Sequence, residues 1–174
     1  ENQVDGDLAT LGGGILNSAF GEASTIGGGR SIRVTGEAAT VGGGDTNVVT
    51  AAFGTVGGGT SSSVTGKFGT VGGGTQNHTV GTAATIGGGG YNTAIGEAST
   101  IGGGSFVTAT GYASTVGGGV HNTASDNVST IGGGAYISAT GPAATVGGGA
   151  YIHARGEGAT VAGGFGESVT DVET

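Results

Sequence analysis

The chain has 174 residues, 46 of them Gly, with no Cys, Met or Trp and a formal net charge of −8. So few large side chains exclude an ordinary jigsaw core, a single proline, Pro142, excludes collagen, and 9% charged residues among recurrent Val, Ile and Thr argue against disorder. The basic set is only Arg30, Arg33, Lys67 and Arg155, which argues against nucleic acid or an anionic membrane surface as a partner, and the absence of Cys removes disulfides and thiolate metal sites.

From the N-terminus, residues 1–9 read as a partial coil, with Asn2 to Ala9 filling positions eight to fifteen of a unit that first appears whole at Thr10. Thr followed by Leu, Ile or Val and then Gly-Gly recurs at Thr25, Thr40, Thr55, Thr70, Thr85, Thr100, Thr115, Thr130 and Thr145. Thr160 opens the last coil, residues 160–174, where Val161-Ala162-Gly163 is the one lapse. The period is fifteen residues throughout, without insertion or deletion, so 1–174 reads as a single repeat domain of about eleven copies.

With that Thr as position one, the unit reads T-[VI]-G-G-G-x-x-[NI]-x-[AV]-x-G-x-A-[AS]. Position two carries Leu11, Ile26, Val41, Val56, Val71, Ile86, Ile101, Val116, Ile131, Val146 and Val161. Side chains alternate across a strand, so positions fifteen, two and four are expected to face inward around one strand, and eight, ten and twelve around a second. Two short strands joined by Gly-containing bends close one coil. Such a coil stacks on its copies at about 4.8 Å, giving a rod about 50 Å long. The class is therefore all-β, a β-solenoid: Gly-Gly-Gly every fifteen residues would cost a helix about 1 kcal/mol per Gly.

The segments Ala23-Ser24-Thr25-Ile26-Gly27-Gly28-Gly29, Ala98 to Gly104 and Ala113 to Gly119, with Asn92-Thr93-Ala94-Ile95-Gly96 and Asn122-Thr123-Ala124, carry a resemblance. They are similar to the YadA-like head repeats of trimeric autotransporter adhesins, more closely to the Gly-Gly-Gly variety in ubiquitous surface proteins of Moraxella. Similar repeats occur in phage and bacterial fibre proteins. The resemblance spans essentially the whole chain. It implies a left-handed parallel β-roll, a homotrimer packed side by side, and a cell-surface location tethered to the outer membrane through other segments. The family often reads Ser-Val-Ala-Ile-Gly with a shorter repeat, so a collagen-binding role tied to that motif does not transfer.

Catalytic, cofactor and metal roles find no motif. His78, His121 and His153 lie on widely separated coils and read as isolated surface histidines. Glu22, Glu37, Glu97 and Glu157 share position thirteen as a solvated acidic rim. The Gly-rich stretches lack the Lys-Ser or Lys-Thr ending of a phosphate loop and the spaced Asp of a calcium nonapeptide. Asn17, Asn47, Asn77, Asn92 and Asn122 at position eight read as an inward Asn ladder serving turn backbone groups. The Thr column reads as a packed, hydrogen-bonded ladder, with ice binding as a minor alternative. Asn77-His78-Thr79 and Asn127-Val128-Ser129 are formal glycosylation sequons. The five Phe and four Tyr are scattered along the chain.

No apolar run approaches the roughly 20 residues of a membrane span, and Glu1-Asn2-Gln3 lacks the features of a signal peptide, so an exported protein would be present here in mature or excised form. Asp5, Asp7, Glu167, Asp171 and Glu173 mark the two ends as charged gatekeepers. Two functions follow. One is an extracellular adhesin head or fibre segment binding a protein or glycan through its lateral surface. The other is a filament subunit assembled by end-to-end stacking, or a phage tail-fibre segment.

Overall fold

The computed structural model describes residues 1–170, and over them the chain is an all-β parallel solenoid of fifteen-residue turns with no helix. One sheet has twelve two-residue strands, from Gln3–Val4 to Ser168–Val169, and contains positions nine and ten of each coil. The other has eleven, from Thr10–Leu11 to Thr160–Val161, and contains positions one and two. Every pairing is parallel and offset by one coil, for example Thr70 with Thr85 and Val71 with Ile86. A third ladder of single bridges at position six, from Ile15 through Arg30 and Asp45 to Phe165, adds a side beyond the two strands per coil that the sequence suggests. The last gatekeepers, Asp171 and Glu173, lie outside the described residues.

The core is two apolar columns facing each other. Position two (Ile26, Val41, Val56, Val71, Ile86, Ile101, Val116, Ile131 and Val146) is fully buried, and so is position ten from Ala19 to Ala154. Position fifteen closes the gap with small residues such as Ala39, Ala84 and Ala144. Each column buries apolar area only because the coil above and below covers it, so stability is collective along the rod.

The corners differ from expectation. Twenty non-Gly residues, all at positions seven and fourteen, hold the left-handed conformation with φ between 48 and 59°. Thr46, Phe53 and Val128 are among them, although this conformation costs an L-residue about 1–2 kcal/mol. Hydrogen bonding supplies the reason. Strand N–H groups donate forward to the next coil, as Thr25 does to Ala39 at 2.9 Å, whereas corner N–H groups donate backward, as Ser31 does to Ile15 at 2.9 Å and Ala38 to Glu22 at 2.8 Å. A left-handed residue swings its N–H to the opposite side of the coil, and the corners from Ala23 to Tyr151 thus tie their coils to the preceding ones.

Glycine is demanded at the third bend, position five. Gly74 has φ +90°, and a Cβ there would stand 2.0 Å from the Gly89 carbonyl oxygen. Position four departs from the inward alternation assigned to it. A Cβ on Gly28, Gly58, Gly73, Gly88, Gly103, Gly133 or Gly148 would meet nothing within 4 Å, so this column faces open space and not the core.

Position eight behaves as inward polar staples. Asn17 Nδ2 donates to the Gly13 carbonyl of its own coil at 2.9 Å and to the Gly29 carbonyl of the next at 2.8 Å, while its Oδ1 accepts from the Ile32 N–H at 3.0 Å. Asn47 and Asn122 repeat the pattern. So do Asn77 and Asn92. Ile32, Ile137 and Ile152 take the same buried place on other coils, so the ladder is interrupted.

Candidate interaction surface

The interior is nearly uniform, so any selectivity lies in the outward columns. Threonines at position one pair in register along the second sheet, from Thr10 with Thr25 to Thr145 with Thr160. Among the described residues only Thr160 places its hydroxyl on a protein acceptor, the Gly158 carbonyl at 3.4 Å. The column packs as a ladder but is not hydrogen-bonded along itself, because parallel neighbours hold their side chains side by side while the backbone already uses the inter-coil direction.

The aromatic residues are not scattered once the coils are stacked. Tyr91, Phe106, His121, Tyr136 and Tyr151 all occupy position seven and form one continuous stack, with centroids 4.8 to 5.0 Å apart and planes within 13° of parallel. Phe165 closes it edge-on against Tyr151. The left-handed corner aims each side chain out of the roll, and the fifteen-residue repeat lays it over its neighbour, so half of each tyrosine ring stays exposed. His121 is therefore a member of this stack and not an isolated residue. The signal was present in the sequence as a column at fixed period, invisible when the residues are read along the chain.

A second, shorter pair stands at the opposite corner. Phe53 and Phe68 stack at 5.2 Å, with the Lys67 ammonium 4.9 Å from the Phe68 centroid. On the position-six ladder, Arg30 Nε donates to Asp45 Oδ1 at 3.1 Å and a second guanidinium nitrogen donates to the other carboxylate oxygen. That Arg30 hydrogen bond first, and one from the Thr46 hydroxyl second, hold the Asp45 carboxyl below the ordinary aspartate range.

Beside the aromatic stack lies an open groove of about 330 Å³, lined by His121, Tyr136 and Tyr151 from position seven, Ile137 from position eight, and Thr123, Ser138 and His153 from position nine. The two histidines that the sequence leaves apart thus border one depression. His78, also at position nine, contacts the Ser63 hydroxyl through Nδ1, and among the described residues no carboxylate hydrogen-bonds its other nitrogen. Glu22, Glu37, Glu97 and Glu157 are all exposed at the corner between the sheets. Of the two sequons, Asn77 is fully buried and Asn127 exposed. Among the described residues no three His, Asp or Glu side chains stand together as a metal site, and no helix is long and apolar enough to cross a membrane.

No protein-family model matches the chain, and a search of curated proteins returns no significant match.

Proposed function

We propose that this chain is a non-catalytic extracellular adhesin head or fibre segment, a left-handed β-roll that packs side by side with two further copies and binds a protein or glycan through its lateral surface. The observation that carries the reading is the glycine column at position four. Glycines at positions three and five are explained within one chain, since a Cβ on Gly72 or Gly74 would lie 2.4 or 2.0 Å from the next coil's backbone. Position four is Gly in every copy from Gly13 to Gly163, while the neighbouring outward positions six, seven and nine have diverged freely. Yet a side chain at Gly73 would project into open space. Something outside the chain requires that column to stay bare. A flat rail of glycines running the length of the rod is suited to the close approach of another backbone, and identical copies related by a closed rotation supply one. The resemblance to trimeric adhesin heads sets the number at three. The low content of large side chains is consistent with it, because a thin roll gains a second covered face on assembly.

Light scattering tests this directly. The chain is expected to have a discrete mass of three copies, and the triple substitution Gly58→Ser, Gly73→Ser, Gly88→Ser is expected to reduce it to one copy with an unchanged circular dichroism spectrum. A single-copy mass for the unaltered chain would sink the reading. Polymers of indefinite length would replace it with end-to-end filament assembly.

A further inference from the structure

The groove beside the aromatic stack uses positions seven, eight and nine and none of the glycine rail, so it remains open in a side-by-side assembly built on that rail. We infer that it is a binding site for an extended β-linked oligosaccharide lying parallel to the rod axis. This rests on the adhesin reading and names the ligand class for its lateral surface.

Size comes first. At about 330 Å³ the groove falls at the lower end of the range of small-ligand sites, roughly 300–1,000 Å³. The walls come next. The faces of Tyr136, Tyr151 and His121 are spent on one another, so the groove meets ring edges and polar tips instead of bare π faces. A flat aromatic ligand finds no face to stack on, whereas a chain rich in hydroxyls finds Thr123, Ser138 and His153 along one wall and tyrosine rings along the other, above the apolar floor of Ile137.

Charge narrows the class further. Of the acidic residues of this half, Glu97, Asp126 and Glu157 sit at positions twelve and thirteen, near the opposite corner, Glu167 stands at position eight of the last coil, beyond the groove, and none of these four lines it. A cationic peptide has no counter-charge there, while a neutral polyol needs none. Periodicity then favours a polymer. Each rung offers one ring edge and one hydroxyl or imidazole at a repeat of about 4.8 Å, a step similar to the advance of a β-linked pyranose chain, so three rungs seat about two sugar residues. The N-terminal coils lack this wall, because position seven there is Ser31, Thr46 and Ser61.

Isothermal titration of the full chain with cellohexaose, chitohexaose and the curled chain maltohexaose tests the inference, with light scattering on the same samples. The two β-linked hexaoses are expected to saturate a site that Ser138→Leu weakens at least tenfold and Ser18→Leu, at the same position outside the groove, leaves alone. Maltohexaose is expected to bind at least tenfold more weakly. Failure of both β-linked chains to bind, or indifference to Ser138→Leu, would overturn the inference. A three-copy mass without sugar binding removes the sugar site alone. A single-copy mass with sugar binding removes the trimeric reading and leaves the groove.

Discussion

The two halves of the rod share an interior and differ in their skin. From Thr10 to Gln76 the position-seven corner carries Leu16, Ser31, Thr46, Ser61 and Gln76, with the Arg30–Asp45 pair beside it. From Tyr91 to Tyr151 the same corner carries an unbroken stack of five rings. Backbone conformation is the same in both, φ 52 to 58° at every one of these corners. From Ser31 onward the corner is tied by the inter-coil hydrogen bond, which leaves its side chain free to vary. Fold and surface specificity are encoded in separate columns.

The largest expected effect breaks the interior common to both halves. Gly89→Ala places a Cβ 2.1 Å from the Gly104 carbonyl at φ +85°, and is expected to cost about 4 kcal/mol or abolish folding. Gly88→Ala, one residue earlier, has open space and is expected to leave the circular dichroism spectrum of the folded chain unchanged. Urea unfolding should next separate the staples. Asn77→Ala strips partners from the Gly73 and Gly89 carbonyls and the Asn92 N–H, a loss of about 2–3 kcal/mol. Asn77→Ile, imitating Ile32, is expected to recover part of that through packing.

A gain is expected at Thr79, the one polar residue in the position-ten column, whose buried hydroxyl finds no partner. Thr79→Val should raise stability by about 1 kcal/mol. Sharpening the difference between the halves, His121→Tyr should extend the tyrosine stack and add about 0.5 kcal/mol at a C-terminal site. The smallest effect belongs to Arg30→Ala on the exposed N-terminal skin. Folding depresses the Asp45 carboxyl through Arg30, so the pair stabilises at pH above the ordinary aspartate value and that contribution is lost as pH falls through the depressed one. The difference in urea midpoint between Arg30→Ala and the unaltered chain is expected at neutral pH and should close on acidification.

Much of the interior was legible in the sequence because burial writes itself in residue type. Position two is always aliphatic, and the inward Asn at position eight follows from strand alternation. Alternation failed at position four because it presumes a continued strand, and the chain is already bending there toward Gly74. The left-handed corners were hidden for a different reason. Thr46, Phe53 and Val128 are poor residues for that conformation, and each makes the backward hydrogen bond to the preceding coil that selects it. The aromatic stack and the groove beside it are properties of columns, so Tyr136 and His121 become neighbours only once the coils are superposed.

The constancy of the fifteen-residue step has a consequence for how such a protein can change size. Each coil from one position-seven corner to the next is a self-contained cassette whose upper and lower faces present the same backbone donors and acceptors. Duplicating or excising one cassette lengthens or shortens the rod by a single rung and carries the glycine rail with it unbroken. Reach can therefore be adjusted in increments of about 4.8 Å while the surface that meets other copies keeps its pattern. The molecule is a ruler whose graduations are its genetic repeats.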